Sequence, residues 1–188
     1  KGSRFVKREG RPTDEAILSG RLVDRAVRPL FPDRFKNEVA VTATVLSIDT
    51  DNDADVPALI GTACALAISD IPWNGPVAAI RIGKKDGKFI VMPSYEETNV
   101  GDLDLVVSGT ADKTIMVEAG ANQMTESDML EAMQLAHQNL KPVIDLINQV
   151  AKAVGKTKTD PMKPKNDEEA AKRAVIEAAL CSGVADVM

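Results

Sequence analysis

The stretch "DVPALIGTACALAIS", residues 55–69, constrains this chain more than any other. Asp55 is its only charged residue and reads as a helix cap, with Pro57 in the first turn, where a missing N–H costs nothing. Small and apolar side chains then fall on every side, and a helix that is apolar all round has to be covered all round. One amphipathic partner cannot do that. The fold therefore needs a layer on each side of this helix, and the rest of the sequence supplies strands and amphipathic helices.

The segment "NEVAVTATVLSI", residues 37–48, is rich in β-branched residues and reads as a buried strand. "VAAIRIG" and "KFIVM" flank Lys84-Lys85-Asp86-Gly87, a hairpin signal. "LDLVVSG" and "KTIMVEA" form a second hairpin around Gly109-Thr110-Ala111-Asp112. Upstream, Thr13 caps a helix over about Asp14–Val27, with Asp14 and Glu15 in the first turn, where carboxylates suit the helix dipole. Ile17, Leu18, Leu22 and Ala26 give it an apolar side, and Arg21, Arg25 and Arg28 share one face at i, i+4 and i+7. Thr125 and Asp128 form a capping box for a long amphipathic helix that reaches about Val154 and closes at Gly155, with a kink expected at Pro142. Residues 155–167 have a linker composition, and residues 168–181 begin another helix. The order predicts an α+β layer architecture, with helices on a mixed or antiparallel sheet.

No apolar run reaches the roughly 18 residues of a membrane span. The two cysteines, Cys64 and Cys181, lie far apart and fit a reduced, intracellular protein better than a disulfide. The chain begins without Met and ends inside a helix-like segment, which reads as part of something longer. The formal net charge is −5, yet residues 1–36 hold ten Lys and Arg against five Asp and Glu. Such asymmetry marks either an anion-binding segment or a solvated basic face.

Chemistry-bearing motifs are sparse. No phosphate loop or dinucleotide fingerprint is present, and neither cysteine has metal-ligand spacing. His137 lies mid-helix and reads as structural, and Met116, Met124, Met129 and Met133 read as core filler. Asp102 and Asp104, two apart on a strand, present a pair of carboxylates that either meets a cation or is a solvated turn. The strongest signal is the opening "GSRFVKREGRP", residues 2–12. Lys7, Arg8, Arg11 and the Arg21/Arg25/Arg28 face offer planar forks and ammonium groups for a phosphate backbone. Phe5 either stacks a base or anchors the loop. Some of the arginines have carboxylate neighbours, Asp14 and Asp24 among them, with which to pair instead.

"FVKREGRPTDEAILSGRLVDRAVRPLFP", "NEVAVTATVLSID", "DVPALIGTACALAISDIPWNGPVAAIRIG" and "LDLVVSGT", in this order and spacing, closely resemble the bacterial polynucleotide phosphorylases. The resemblance implies an RNase PH-like fold: residues 1–154 as the first of that family's two RNase PH-like domains without its opening strands, 155–167 as a linker, and 168–188 as the start of an all-helical domain. It implies a parent enzyme, cytoplasmic and magnesium-dependent, that removes nucleoside diphosphates from the 3′ end of RNA with inorganic phosphate, reversibly, as a homotrimeric ring threaded by single-stranded RNA. Phe5, Lys7 and Arg8 match the ring-constriction loop of the family, where Val6 replaces a second aromatic. The resemblance makes Phe5, Lys7, Arg8, Arg11, Arg21, Arg25 and Arg28 RNA-binding residues. A stand-alone RNA-binding or assembly module is the alternative reading.

The same resemblance separates this half from the catalytic one. The catalytic copy has a Gly-Ser-Ser-Ser turn before the buried helix; this chain has Asn52-Asp53-Ala54-Asp55. Two carboxylates there oppose a phosphate dianion, at about 4 kcal/mol for unit charges 4 Å apart at an effective dielectric of 20. An aspartate and a lysine of the catalytic set are replaced by Thr98 and Val106, leaving Asp104 alone. The expectation is that this chain by itself has no catalytic residues and that magnesium binds outside it.

Overall fold

The computed structural model describes residues 12–33 and 35–159, together with Lys172 and Val175. Its elements are α1 (Asp14–Val27), a 3₁₀ turn (Arg28–Leu30), α2 (Asp55–Ile68), β1 (Ala78–Lys85), β2 (Lys88–Val91), α3 (Tyr95–Val100), β3 (Leu103–Gly109), β4 (Thr114–Ala121) and α4 (Glu126–Val154). The four strands form one antiparallel sheet in the order β2-β1-β3-β4. Of the two sheet types left open by the sequence, the described residues build the antiparallel one.

Both hairpins form where their turn residues fall. Asp86 and Gly87 take φ of 51° and 75°, the two left-handed positions that a two-residue turn needs to follow the strand twist. Alternation then sorts the sheet into two faces. Ala78, Ile80, Ile82, Leu103, Leu105 and Val107 pack on Ala132, Ala136, Leu140 and Ile144 of α4, with Met124, Met129 and Met133 at the margin. The opposite face sends Ala79, Val106 and Met116 into a second core with Leu22 and Ala26 of α1, Val56, Leu59, Ala63 and Leu66 of α2, and Trp73. The Lys84 ammonium lies 3.0 Å from Asp128 and 5.1 Å from the centre of the Phe89 ring, tying the first hairpin to the start of α4.

α4 is one continuous helix with Pro142 inside it, and it closes at Gly155 as the sequence predicts. Its cap is the expected Thr125, whose hydroxyl accepts from the Asp128 N–H at 3.2 Å. The Asp128 carboxylate, however, turns to Lys84, so the capping box is only half made there. A complete box forms instead at α3, a helix the sequence reading missed: Ser94 Oγ accepts from Glu97 N, and the Glu97 carboxylate accepts from Ser94 N. After α4 the chain crosses the far end of α2. Lys158 Nζ donates to the Leu66 and Ser69 carbonyls at 2.6 and 2.8 Å, a cation on the helix's free C-terminal acceptors.

Three expectations are corrected. Residues 37–48 belong to no strand and are mostly exposed. An extended backbone becomes a strand only when a neighbour takes its N–H and C=O groups, and among the described residues none does. Cavities of about 820 and 590 Å³ separate this segment from α1 and α2. As a result α2 is not covered all round: Pro57, Gly61 and Ala65, one turn apart, are exposed along the side that faces the segment. Leu18 of α1 is likewise exposed rather than on the buried side.

Candidate nucleic-acid interface

Helix α1 forms as its sequence directs. Thr13 Oγ1 accepts from Ala16 N at 3.2 Å, and Asp14 and Glu15 occupy the first turn. Leu22, Ala26 and Val27 are buried, which turns Arg21, Arg25 and Arg28 outward together. The Trp73 indole holds the end of the helix in place by donating to the Val27 carbonyl at 3.1 Å. Beyond it, the Phe31 and Phe35 rings stack with centres 5.8 Å apart.

The three arginines are not equivalent. Arg28 grips Asp24 one turn back, with four donor–acceptor distances between 2.7 and 3.1 Å. Arg25 pairs with Glu118 on β4. Arg21 makes no ion pair among the described residues and is exposed. Both pairs are surface pairs, each worth under about 1 kcal/mol in water. Arg21 thus offers a guanidinium without an ion pair among the described residues, and the exposed pairs of Arg25 and Arg28 open to a competing anion at small cost. Phe5, Lys7, Arg8 and Arg11 lie outside the described residues.

A second charged group sits on the sheet face below the N-terminal end of α2. Arg81 points inward from β1 and is nearly buried. Its Nη1 donates to Asp53 at 3.0 Å and its Nη2 to Asp55 at 2.9 Å. Its Nε faces Asp104 of β3 at 3.4 Å, an ion pair without hydrogen-bond geometry. Burial pushes the Asp55 carboxyl above its ordinary value, Arg81 pulls it back, and the neighbouring Asp53 and Asp104 charges raise it further. Burial opposes the charge on Arg81, but Asp55, Asp104 and Asp53 outweigh it and hold its pKa above the ordinary one. Asp55 is thus not the cap of α2; Ala54 holds that position, and Asp55 is buried in the first turn facing Arg81.

This cluster settles the other carboxylate readings. Asp102 and Asp104 do not act as a pair: Asp102 is exposed before β3, and Asp104 turns to Arg81. The three carboxylates do not fit a magnesium ion, because the guanidinium occupies the space between them. Thr98 Oγ1 donates to the Ser94 carbonyl and Val106 is buried in the core, so neither adds a ligand or a cation. Arg81 was legible as a charged residue at an inward position of an apolar strand, which demands buried partners. Glu118 carried no such signal.

Residues 1–72 match the model described as "3' exoribonuclease family, domain 1", and residues 75–139 match its domain 2. The chain belongs to the 3′ exoribonuclease family. It is 51% identical over 156 residues to the polyribonucleotide nucleotidyltransferase of Alkaliphilus oremlandii, a match covering 83% of this chain and 22% of the relative. It is 47% identical over 165 residues to that of Heliobacterium modesticaldum (87% and 23%), and 45% identical over 174 residues to that of Oceanobacillus iheyensis (93% and 25%). The chain thus spans about a quarter of the length of these relatives. The crystal structure of rice (Oryza sativa) Rrp46 shares the fold, with a TM-score of 0.59 at 14% identity, over 76% of this chain and 68% of that one. As the sequence resemblance implied, the fold is RNase PH-like. In this 3′ exoribonuclease family chain, the domain 1 match carries the arginine face and α2, and the domain 2 match carries the sheet and the first half of α4.

Proposed function

We propose that this chain is part of a phosphate-dependent 3′-to-5′ exoribonuclease, and that it guides single-stranded RNA and helps to build a homotrimeric ring rather than catalysing. The observation that carries the reading is the arginine face of α1, with Arg21 unpaired among the described residues and Arg25 and Arg28 in exposed pairs that a phosphate can displace. The names of the relatives support a polyribonucleotide, RNA, as the substrate class. Contacts of this kind track the sugar–phosphate strand without reading bases. Phe5, Lys7, Arg8 and Arg11 extend the same positive surface in this reading, and residues 155–167 and 168–188 serve as the linker and the start of a helical domain.

The Arg81 cluster supports the non-catalytic half of the proposal. Phosphorolysis needs cationic stabilisation of a transferring phosphoryl group. Here the Arg81 guanidinium is already committed to three carboxylates. The residues that hold magnesium for the reaction belong, in this reading, outside this chain.

The test measures two quantities on the purified chain. Fluorescence anisotropy with a labelled single-stranded RNA, titrated in salt, should show binding whose log–log salt slope falls by about 1 in Arg21→Gln. Incubation with RNA and inorganic phosphate should release no nucleoside diphosphate. An unchanged slope overturns the RNA-guiding role, and turnover overturns the non-catalytic one.

A further inference from the structure

Helix α2 ends at Ile68, and the last carbonyls of a helix need donors from outside its own ladder. Ser69 answers for Ala65 through its N–H and for Leu66 through its hydroxyl. The rest come from the residues that follow α4. Lys156 N donates to the Ile68 carbonyl at 2.9 Å, and Thr159 N and Oγ1 both donate to the Asp70 carbonyl, at 2.7 and 2.9 Å. Between them, Lys158 Nζ donates to the Leu66 and Ser69 carbonyls at 2.6 and 2.8 Å. Every donor in this set lies on residues 156–159 and every acceptor on residues 66–70. A stretch with the composition of a linker is thus fastened to the end of α2.

The five bonds are not equal. Three are neutral. The net gain from a neutral hydrogen bond is comparable with the cost of fixing one residue's backbone, and residues 156–159 are all fixed. Those terms leave the segment near balance. The two bonds from the ammonium are charge-assisted, about twice as strong as neutral ones. Their cation also lies on the negative end of the α2 dipole. They decide whether the segment is fastened. Lys156 carries the same charge but is exposed, and it reaches α2 through its backbone N–H.

We infer that residues 156–159 form a latch with two states, fastened on α2 and released, and that the Lys158 ammonium is its bolt. Opening the latch frees Lys156–Thr159 while the sheet and the helices stay folded. It makes no use of the arginine face, so it is independent of the RNA-guiding role.

Native-state hydrogen exchange followed by NMR tests this on the 188-residue chain. The Lys156 and Thr159 amides should exchange more slowly than those of an unstructured chain, by about tenfold or more. Lys158→Met should remove that protection at both amides and leave the β1 and β3 amides within about twofold of their parent rates. Lys156→Met keeps the backbone donor and should leave the Lys158-dependent protection in place at both positions. Unprotected Lys156 and Thr159 amides in the parent chain overturn the inference, and so does protection that survives Lys158→Met. Loss of protection in β1 and β3 in step with the latch amides makes Lys158 a support of the whole fold and overturns it too. An equal loss in Lys156→Met does the same.

Discussion

The guanidinium of Arg81 donates to the carboxylate of Asp55 at 2.9 Å, joining the central strand β1 to the first turn of α2. Asp53 and Asp104 complete the surround. The consequence is mechanical as well as electrostatic. The helix that divides the molecule is fixed to the sheet at one end by this cluster and held at the other by Lys158 on its terminal carbonyls.

Arg81→Met should cost about 3–5 kcal/mol, because it leaves three carboxylates together without the buried cation. Urea denaturation measures the loss as a lower midpoint at unchanged slope. Arg81→Lys should recover only part of it, since one ammonium does not reproduce a fork aimed at three partners.

The pH dependence follows from Asp55. Its carboxyl binds a proton more tightly in the folded chain than in the unfolded one. Folding therefore takes up protons between the ordinary aspartate value and the raised one. Stability falls as pH rises through that window and levels off above it. Asp55→Asn should remove this part of the slope in denaturation measured at a series of pH values.

Asp128 acts in the opposite sense. The hydrogen bond from Lys84, then that from Thr125, lower its pKa. Its contribution is present above the ordinary aspartate value and lost as pH falls through the lowered one. Lys84→Met should flatten the acid limb of the stability profile, without moving the Asp55 window.

On the arginine face, Arg21 and Arg25 should separate. Arg21→Gln removes a free charge and should lower the salt slope of RNA binding by about 1. Arg25→Gln also releases Glu118, which then faces the strand as an unpaired carboxylate. It should weaken RNA binding more than Arg21→Gln, and Arg25→Gln/Glu118→Gln should recover the difference. Anisotropy titrations at several salt concentrations read both effects.

Trp73 is the chain's one tryptophan, so its fluorescence reports how α1 is held. Trp73→Phe leaves the Val27 carbonyl without its indole partner and should cost about 1–3 kcal/mol. The Trp73 ring also lies where a side chain at Gly75 would have to go. Gly75→Ala should therefore shift the Trp73 emission as well as lower stability.

Much of this was legible along the chain. The bounds of α1, α2 and α4, both hairpins and the turn at Asp86-Gly87 follow from caps, periodicity and turn chemistry, which act over a few neighbouring residues. The α+β class and the family resemblance came from the same local information. Helix α3 was missed although Ser94-Tyr95-Glu96-Glu97 spells its capping box, because six residues give no periodicity to read.

The sequence by itself determined the three long helices and which hairpins close, because those choices depend on side chains at fixed spacing along one backbone. The tertiary structure alone decided that residues 37–48 do not form a strand, since a strand exists only by virtue of its neighbour. It also decided that Arg81 meets Asp53, Asp55 and Asp104 and that Arg25 meets Glu118. Those partners lie 23 to 93 positions away and are brought together only when α1 and α2 pack on the sheet.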